Sequence, residues 1–387
     1  MKLGVLTSHP IQYQAPIFRA LAERVDLTVF FAHRQSAEGQ GRAGYGVAFD
    51  WDVDLLSGYR HLDLVNVSAA PDTGRFAGCD TPDIGARLQA EGIDVLLVTG
   101  WNLKSHWQAI WACRRLGIPV MVRGDSHLDT PRGRLTSLVK AVLYPVLLRC
   151  FDALLYVGAR NRAYLRHYHV PEPRLFFSPH CVDNAGFAAA AAAAGRGLRE
   201  QLGLTEDTRV VAYAGKLAAG KHVDDLLRAV ARLRVLRPEL NVTVLVAGDG
   251  PERTALTALA DELSVPRRWL GFCNQSRLPA VYAAADLLAL PSVSETWGLV
   301  VNEAMACGLP CVVSAVCGCA PDLIVPGVTG ETHAPADVES LAQALARCLD
   351  HPADAAAIRA HIARYAPAET AGGVLAAARW LLQEKKK

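Results

Sequence analysis

Two successive series of alternating apolar runs and helical stripes restrict the fold of this chain more than any other feature. In the first series, residues 3–7 form a short apolar run. The polar loop Ser8-His9-Pro10-Ile11-Gln12-Tyr13-Gln14 follows. Behind Pro16, the residues Ile17, Phe18, Leu21 and Ala22 recur at helical spacing. Residues 27–32 return to an apolar run. Strand, helix and strand in that order build a parallel sheet, because a parallel neighbour is reached only by a long crossover. Further strands are expected at 94–100, from Pro119 onward, at 152–157 and, briefly, at 176–179. The second series has strands expected at 210–215, 242–247, 269–272, 285–290 and 311–314, with no short repeat beneath it. A clear helical stripe, Val223, Leu226, Leu227, Val230 and Leu233, lies between its first two strands.

Between the series, Pro179-His180-Cys181-Val182-Asp183 leads to an unbroken alanine tract at 188–194, which reads as the linker. A length of 387 residues is long for one core. Two domains are therefore expected, at 1–183 and 184–366, with a terminal segment at 367–387. Residues 34–80, rich in glycine around Tyr45, Phe49 and Trp51, read as a mobile excursion near the acceptor side.

Composition excludes several classes. The chain is 51% hydrophobic and 20% charged, the balance of a globular protein. A net charge of +2 gives no electrostatic footprint for nucleic acid. The chain enters a strand-like run at once, without the apolar core of a signal peptide, and no apolar segment is long enough to span a bilayer. The cytoplasm is the expected compartment. Ten cysteines are scattered, and the one tight pair, Cys317-Gly318-Cys319, lacks Cys-x-x-Cys spacing, so zinc and redox use are not expected.

Ligands of open parallel sheets bind at the carboxyl ends of strands. His9 and Gln12 follow the first strand and read either as substrate contacts or as residues that merely start a helix. Arg123, Asp125 and His127 follow a later strand and suit a hydroxylated substrate. The stretch 131–149 places Leu135, Leu138, Val139, Val142, Leu143, Val146 and Leu147 at helical spacing with Arg132, Arg134, Lys140 and Arg149, and Pro145 would kink it. Such a helix either lies on an anionic membrane surface or packs on the sheet with a solvated face.

The stretch 290–310 reads as strand, polar loop, short helix and stop. The helix is expected to start near Gly298 and to end at Gly308, with Pro310 blocking continuation. The free N–H groups around Gly298 and Leu299 suit a phosphate. Glu295 in the loop and Glu303 in the helix can take sugar and ribose hydroxyls. The plainer alternative is an acid favoured by the helix dipole and a solvated glutamate. Two other motifs fail on inspection. Gly215-x4-Gly220-Lys221 matches most of a phosphate-binding loop, but His222 stands where Ser or Thr would hold magnesium. Gly248-Asp249-Gly250 begins a dinucleotide fingerprint whose third glycine is replaced by Arg253. Lys216 and Lys221 remain as point charges for a diphosphate where a strand gives way to a helix.

In combined order and spacing the second half resembles the retaining glycosyltransferases of family 4, which have the GT-B fold. The residues that carry the match are Gly215-Lys216-Leu217 with Lys221, Gly248-Asp249-Gly250-Pro251, Tyr282-x3-Asp286, Pro291-Ser292, Glu295 with Glu303, and Gly308 to Val313. Gly327-Val328-Thr329-Gly330 and the segment Pro179 to Asp183 with Phe187 also fit. The resemblance implies two Rossmann-like α/β domains facing across a cleft, with the last helix, around Trp380, packed back on the first. It assigns Lys216 and Lys221 to the donor diphosphate, Glu303 to the ribose and Glu295 to the donor sugar. The backbone at Trp297, Gly298 and Leu299 would meet sugar and phosphate beside Gly215, residues 271–274 would lie by the base, and His127 near the transferred sugar. The sequence departs from the family in three places. Lys216 stands for the usual arginine, Cys317 to Asp322 replace a Gly-Gly turn and a glutamate, and Ser8-His9-Pro10 replace a glycine-rich loop.

The implied activity is transfer of a sugar from a nucleotide sugar to a hydroxyl acceptor, with retention at the anomeric carbon. Cell-surface glycan or glycolipid synthesis is a setting that suits it. The acceptor can be lipid-linked and the protein peripheral to the inner face of a membrane. The donor is a substrate, so no cofactor is expected, and no Asp-x-Asp is placed for a metal. Two rivals are a nucleotide-sugar epimerase on the same fold and a non-catalytic nucleotide-sugar-binding protein.

Overall fold

The computed structural model describes residues 1–42, 46–130 and 133–385; Tyr45, Pro131 and Arg132, singled out above, lie outside the described residues, as does the side chain of Arg134. The chain divides into two compact units. The first comprises Met1–Ser36, Asp54–His180 and Pro367–Lys387, and the second Ala37–Val53 and Cys181–Ala366.

The first unit is a parallel sheet of seven strands: β1 (Lys2–Thr7), β2 (Asp26–Phe31), β3 (Arg60–Asp63), β4 (Val95–Val98), β5 (Val120–Gly124), β6 (Ala153–Tyr156) and β7 (Leu175–Phe177). Their order is β3-β2-β1-β4-β5-β6-β7. The central strands are buried on both faces, which is why β4 is an unbroken Val-Leu-Leu-Val run. Leu6, Phe30, Leu96, Val122 and Leu154 form the core together with Ile110 and Tyr164 from the crossover helices. The helix Pro367–Glu384 packs against the helix Ala15–Ala22 and over β6 and β7 of this unit. There Trp380 meets Phe176 at 5.6 Å, and the Thr370 hydroxyl donates to the Pro179 carbonyl at 2.7 Å.

The second unit has six parallel strands: β8 (Thr208–Ala214), β9 (Asn241–Ala247), β10 (Arg267–Gly271), β11 (Leu287–Leu290), β12 (Cys311–Ser314) and β13 (Gly330–His333). Their order is β10-β9-β8-β11-β12-β13. The helix Val223–Leu236 buries Leu226, Leu227, Val230 and Leu233 against Val211, Val244 and Val312 of this sheet.

Three expectations change. The alanine tract is not a linker: it forms the helix Asn184–Ala194, capped by Asp183, which accepts from the Gly186 N–H at 3.0 Å. Alanine is the strongest helix former, and this helix packs inside the second unit through Phe187 and Ala191. The units part between His180 and Cys181 rather than after Asp183. Residues 37–53 do not stay with the first half of the chain but belong to the second unit, while β3 lies within what read as one glycine-rich excursion.

The helix Arg134–Leu147 also departs from an ordinary sheet-packed helix. Tyr144 and Leu147 reach the core, whereas Leu135, Leu138, Val139, Val142, Leu143 and Val146 are all exposed.

Candidate active site

The strand order of the second unit reverses at β8 and β11, the position at which open parallel sheets bind ligands. The loops leaving these two strands, 215–222 and 291–298, carry Lys216, Lys221 and Glu295. Their backbones are pinned together, because the Val293 N–H donates to the Gly220 carbonyl at 3.3 Å.

The first loop is fixed from both sides. The Gly215 N–H donates to the Ala247 carbonyl at 3.0 Å, and the Leu217 N–H to that of Asp249 at 2.9 Å. The buried Tyr213 hydroxyl donates to the Lys216 carbonyl at 2.8 Å. The Lys216 side chain is only partly exposed. Burial lowers its pKa, repulsion from Lys221 adds to this, and Glu295 pulls the other way. Lys221 forms a close ion pair with Glu295. Two cations and one carboxylate thus share the switch point.

The second loop ends at Gly298, whose φ of 108° and ψ of 62° lie in the left-handed region that favours glycine. The helix Leu299–Ala306 starts there, the Val301 N–H donating to the Gly298 carbonyl at 2.9 Å, with the Leu299 and Val300 N–H groups ahead of it at the helix start. Trp297 is buried, and its indole N–H donates to Asn302 Oδ1 at 2.8 Å, which locks the residue before Gly298 to the helix. A tight turn braces the loop from behind. The Gly318 N–H donates to the Glu295 carbonyl at 3.1 Å and the Cys319 N–H to the Trp297 carbonyl at 3.0 Å. A Cβ at Gly318 would stand 1.8 Å from the Thr296 carbonyl oxygen, so only glycine permits this approach. Asp322, in the short helix Ala320–Leu323 that follows, accepts from the Tyr365 hydroxyl at 3.3 Å.

Glu303 is not the solvated glutamate of the plainer reading. It is buried, with Oε2 accepting from the Tyr282 hydroxyl at 2.6 Å and Oε1 facing Gln275 Nε2 at 3.4 Å. Burial raises its carboxyl to about 7, although both hydrogen bonds favour the charged form. Gln275 was not apparent from the sequence as a neighbour of this acid; it follows Asn274, at the end of the segment expected by the base.

Within the first unit, His127 is buried just beyond β5, its Nδ1 at 3.7 Å from Asp129 Oδ2. Asp129 also pairs with Arg160. Arg123, expected to meet substrate, is instead occupied by the protein. It donates to the carbonyls of Ser178 at 3.1 Å and Pro179 at 2.8 Å, and lies 3.3 Å from His180 Nδ1. Asp125 faces the other ring nitrogen of His180 at 3.5 Å. The strand order of this sheet reverses at β1 and β4, which places His9 and Gln12 beside the loop after β4. Burial, and then His33, lower the His9 ring to about 4, so it is neutral near pH 7. Gln12 Oε1 is buried with no hydrogen-bond partner among the described residues. The loop after β4, with Trp101 and Asn102, occupies an equivalent position that residue type alone did not reveal.

Residues 196–368 match the sequence profile of the glycosyl transferases group 1. D-inositol 3-phosphate glycosyltransferase from Mycobacterium avium (strain 104) is 40% identical over 202 residues, which cover 49% of this chain and 46% of that protein. The chain thus matches about half the length of its curated relatives. Among solved structures, HepE from Anabaena in complex with UDP superimposes with a TM-score of 0.72 at 19% identity, covering 97% of this chain and 98% of that one. A trehalose-6-phosphate structure from E. coli, bound with UDP-2-fluoro glucose, gives a TM-score of 0.70 at 12% identity, over 98% and 99% of the two chains. At these identities the structures establish the fold, and the sequence profile establishes the family of the second half. The chain therefore has the two-sheet GT-B fold, and its residues 196–368 are a glycosyl transferases group 1 domain.

Proposed function

We propose that the protein is a retaining glycosyltransferase that moves a sugar from a nucleotide-sugar donor to a hydroxyl acceptor. The observation that carries this reading is the convergence of Lys216, Lys221, Glu295 and the start of the helix Leu299–Ala306 at the β8/β11 switch point, with buried Glu303 on the same helix. The lysines and first-turn N–H groups would stabilise the departing diphosphate, a term that often dominates catalysis. Glu303 would accept the ribose hydroxyls, and Glu295 would face the sugar. His127 is assigned a place near the transferred sugar on the strength of the family resemblance.

In the reaction, the bond between the anomeric carbon and the diphosphate oxygen breaks. The acceptor oxygen bonds to that carbon on the same face, and its proton passes to the departing phosphate oxygen. The HepE complexes make uridine nucleotides the first donors to test. Incubation with UDP-glucose and a hydroxyl acceptor should release UDP and form an α-linked product. Donor epimerised without acceptor would identify an epimerase instead. Donor bound without nucleotide release would identify a binding protein.

The acceptor proposed here is held at a lipid surface. The helix Arg134–Leu147 exposes six large apolar side chains, and no acid occurs between Arg132 and Cys150, whereas Lys140 and Arg149 do. Lys140 lies on the helix and Arg149 in the turn Leu148–Cys150 that follows it, and apolar and cationic groups so combined bind an anionic bilayer peripherally.

A further inference from the structure

We infer that residues 49–52, which come from the first half of the sequence, set the nucleoside end of the donor site, with Asp52 as a positioning residue for Gln275. This deepens the proposed function and rests on it. The segment belongs to the second unit, where it meets the loop that follows β10. Phe49 is buried with its ring 4.4 Å from that of Phe272, and Trp51 stands edge-on to Phe49 at 5.0 Å.

Polar contacts then fix the loop on both sides of Gln275. Asn274 Nδ2 donates to the Asp50 carbonyl at 2.7 Å. The Ser276 N–H donates to Asp52 Oδ1 at 3.1 Å, and the Ser276 hydroxyl donates to Asp52 Oδ2. One carboxylate thus satisfies both donors of Ser276. Asn274 closes the turn locally, its Oδ1 accepting from the Gln275 N–H at 2.9 Å. Gln275, held between two anchored neighbours, presents Nε2 to Glu303 Oε1 at 3.4 Å.

Glu303 is the acid proposed to take the ribose. Its Oε1 would be shared between Gln275 and an incoming hydroxyl, so the placement of Gln275 sets how that carboxylate is presented. The hydrogen bonds and ring contacts named above join Phe49, Asp50, Trp51 and Asp52 to residues 272–276 and Glu303, and involve neither Lys216 nor Lys221. The segment should therefore govern recognition of the nucleoside and leave the diphosphate contacts alone.

The test compares two probes, UDP and inorganic pyrophosphate, by titration calorimetry on the full chain. Asp52→Ala should weaken UDP roughly five- to tenfold, the size of one or two lost positioning hydrogen bonds. Pyrophosphate affinity should stay unchanged. Asp52→Asn, which keeps one acceptor oxygen, should fall between wild type and Asp52→Ala. Unchanged UDP binding in Asp52→Ala overturns the inference. An equal loss of both probes also overturns it, because that is what general loosening of the unit would produce. If wild type binds pyrophosphate but none of the five common nucleoside diphosphates more tightly, the donor-site reading itself fails and takes this inference with it.

Discussion

The ammonium of Lys221 is paired with the carboxylate of Glu295 at the point where a diphosphate would arrive. The two groups have opposite relations to that ligand: one attracts it and the other repels it. Lys221→Ala should lower turnover by roughly 100- to 1000-fold, the scale seen when one stabilising donor is removed from a reacting centre. Glu295→Ala should separate the two steps. It frees Lys221 and removes a negative charge, so UDP should bind more tightly in calorimetry while sugar transfer falls. Full turnover in Lys221→Ala would remove the diphosphate role.

Glu303 gives a pH dependence with a definite sign. Its folded carboxyl is raised from 4.5 to about 7, so near neutrality the unliganded protein still holds a substantial share of the proton. In the proposed role, ribose hydroxyls would donate to the charged form, so nucleotide binding should strengthen as pH rises from 6 to 8. The unliganded fold responds in the opposite direction. The stability contributed by a raised pKa is fully present below 4.5 and is lost as pH rises through about 7. Glu303→Gln should flatten both profiles, as read by calorimetry and thermal melting. A pH slope for UDP that persists unchanged in the variant belongs to the phosphate, not to this acid.

Gly318 tests the brace behind the loop. A methyl group 1.8 Å from the Thr296 carbonyl oxygen forces the loop or the turn to move. Gly318→Ala should cost about 1–3 kcal/mol in denaturant unfolding, the usual range for overpacking. UDP affinity should fall with it, because Glu295 and Trp297 are the residues whose carbonyls the turn holds.

The apolar face of the helix Arg134–Leu147 is testable without any substrate. Leu138→Glu with Val142→Glu should leave the melting temperature nearly unchanged, since both side chains are exposed. Sedimentation with phosphatidylglycerol vesicles should fall at least roughly tenfold, from the apolar burial that is lost. Wild type should bind phosphatidylcholine vesicles more weakly. If wild type ignores vesicles and the variant converts a dimer to a monomer in gel filtration, the face covers a second copy instead.

Much of this architecture was legible because a parallel sheet writes its strands as continuous apolar runs, as in β4 and β11, with polar loops at their carboxyl ends. Lys216, Lys221 and Glu295 could be placed together because each follows a strand that the alternation identifies. What stayed hidden depends on tertiary contact. Ser276 and Asp52 are 224 residues apart, and no periodicity announces their pairing. The Tyr282 hydroxyl that meets Glu303 comes from another helix, so no spacing within the Glu303 helix announces it. Arg123 looked like a substrate contact because it sits at a strand end, yet the carbonyls of Ser178 and Pro179 claim it. The alanine tract was misread because composition reveals that a helix can form, not whether it packs.

The helix Pro367–Glu384 packs over β6 and β7 of the first sheet, although every residue of 181–366 separates them in the chain. During synthesis, therefore, the unit that begins first is completed last. While the second sheet emerges from the ribosome, Phe176 waits without Trp380 and the Pro179 carbonyl without the Thr370 hydroxyl. A nascent chain halted before residue 367 carries a second unit with all its strands and a first sheet whose β6 and β7 lack their covering helix, which is the species a chaperone would be expected to hold.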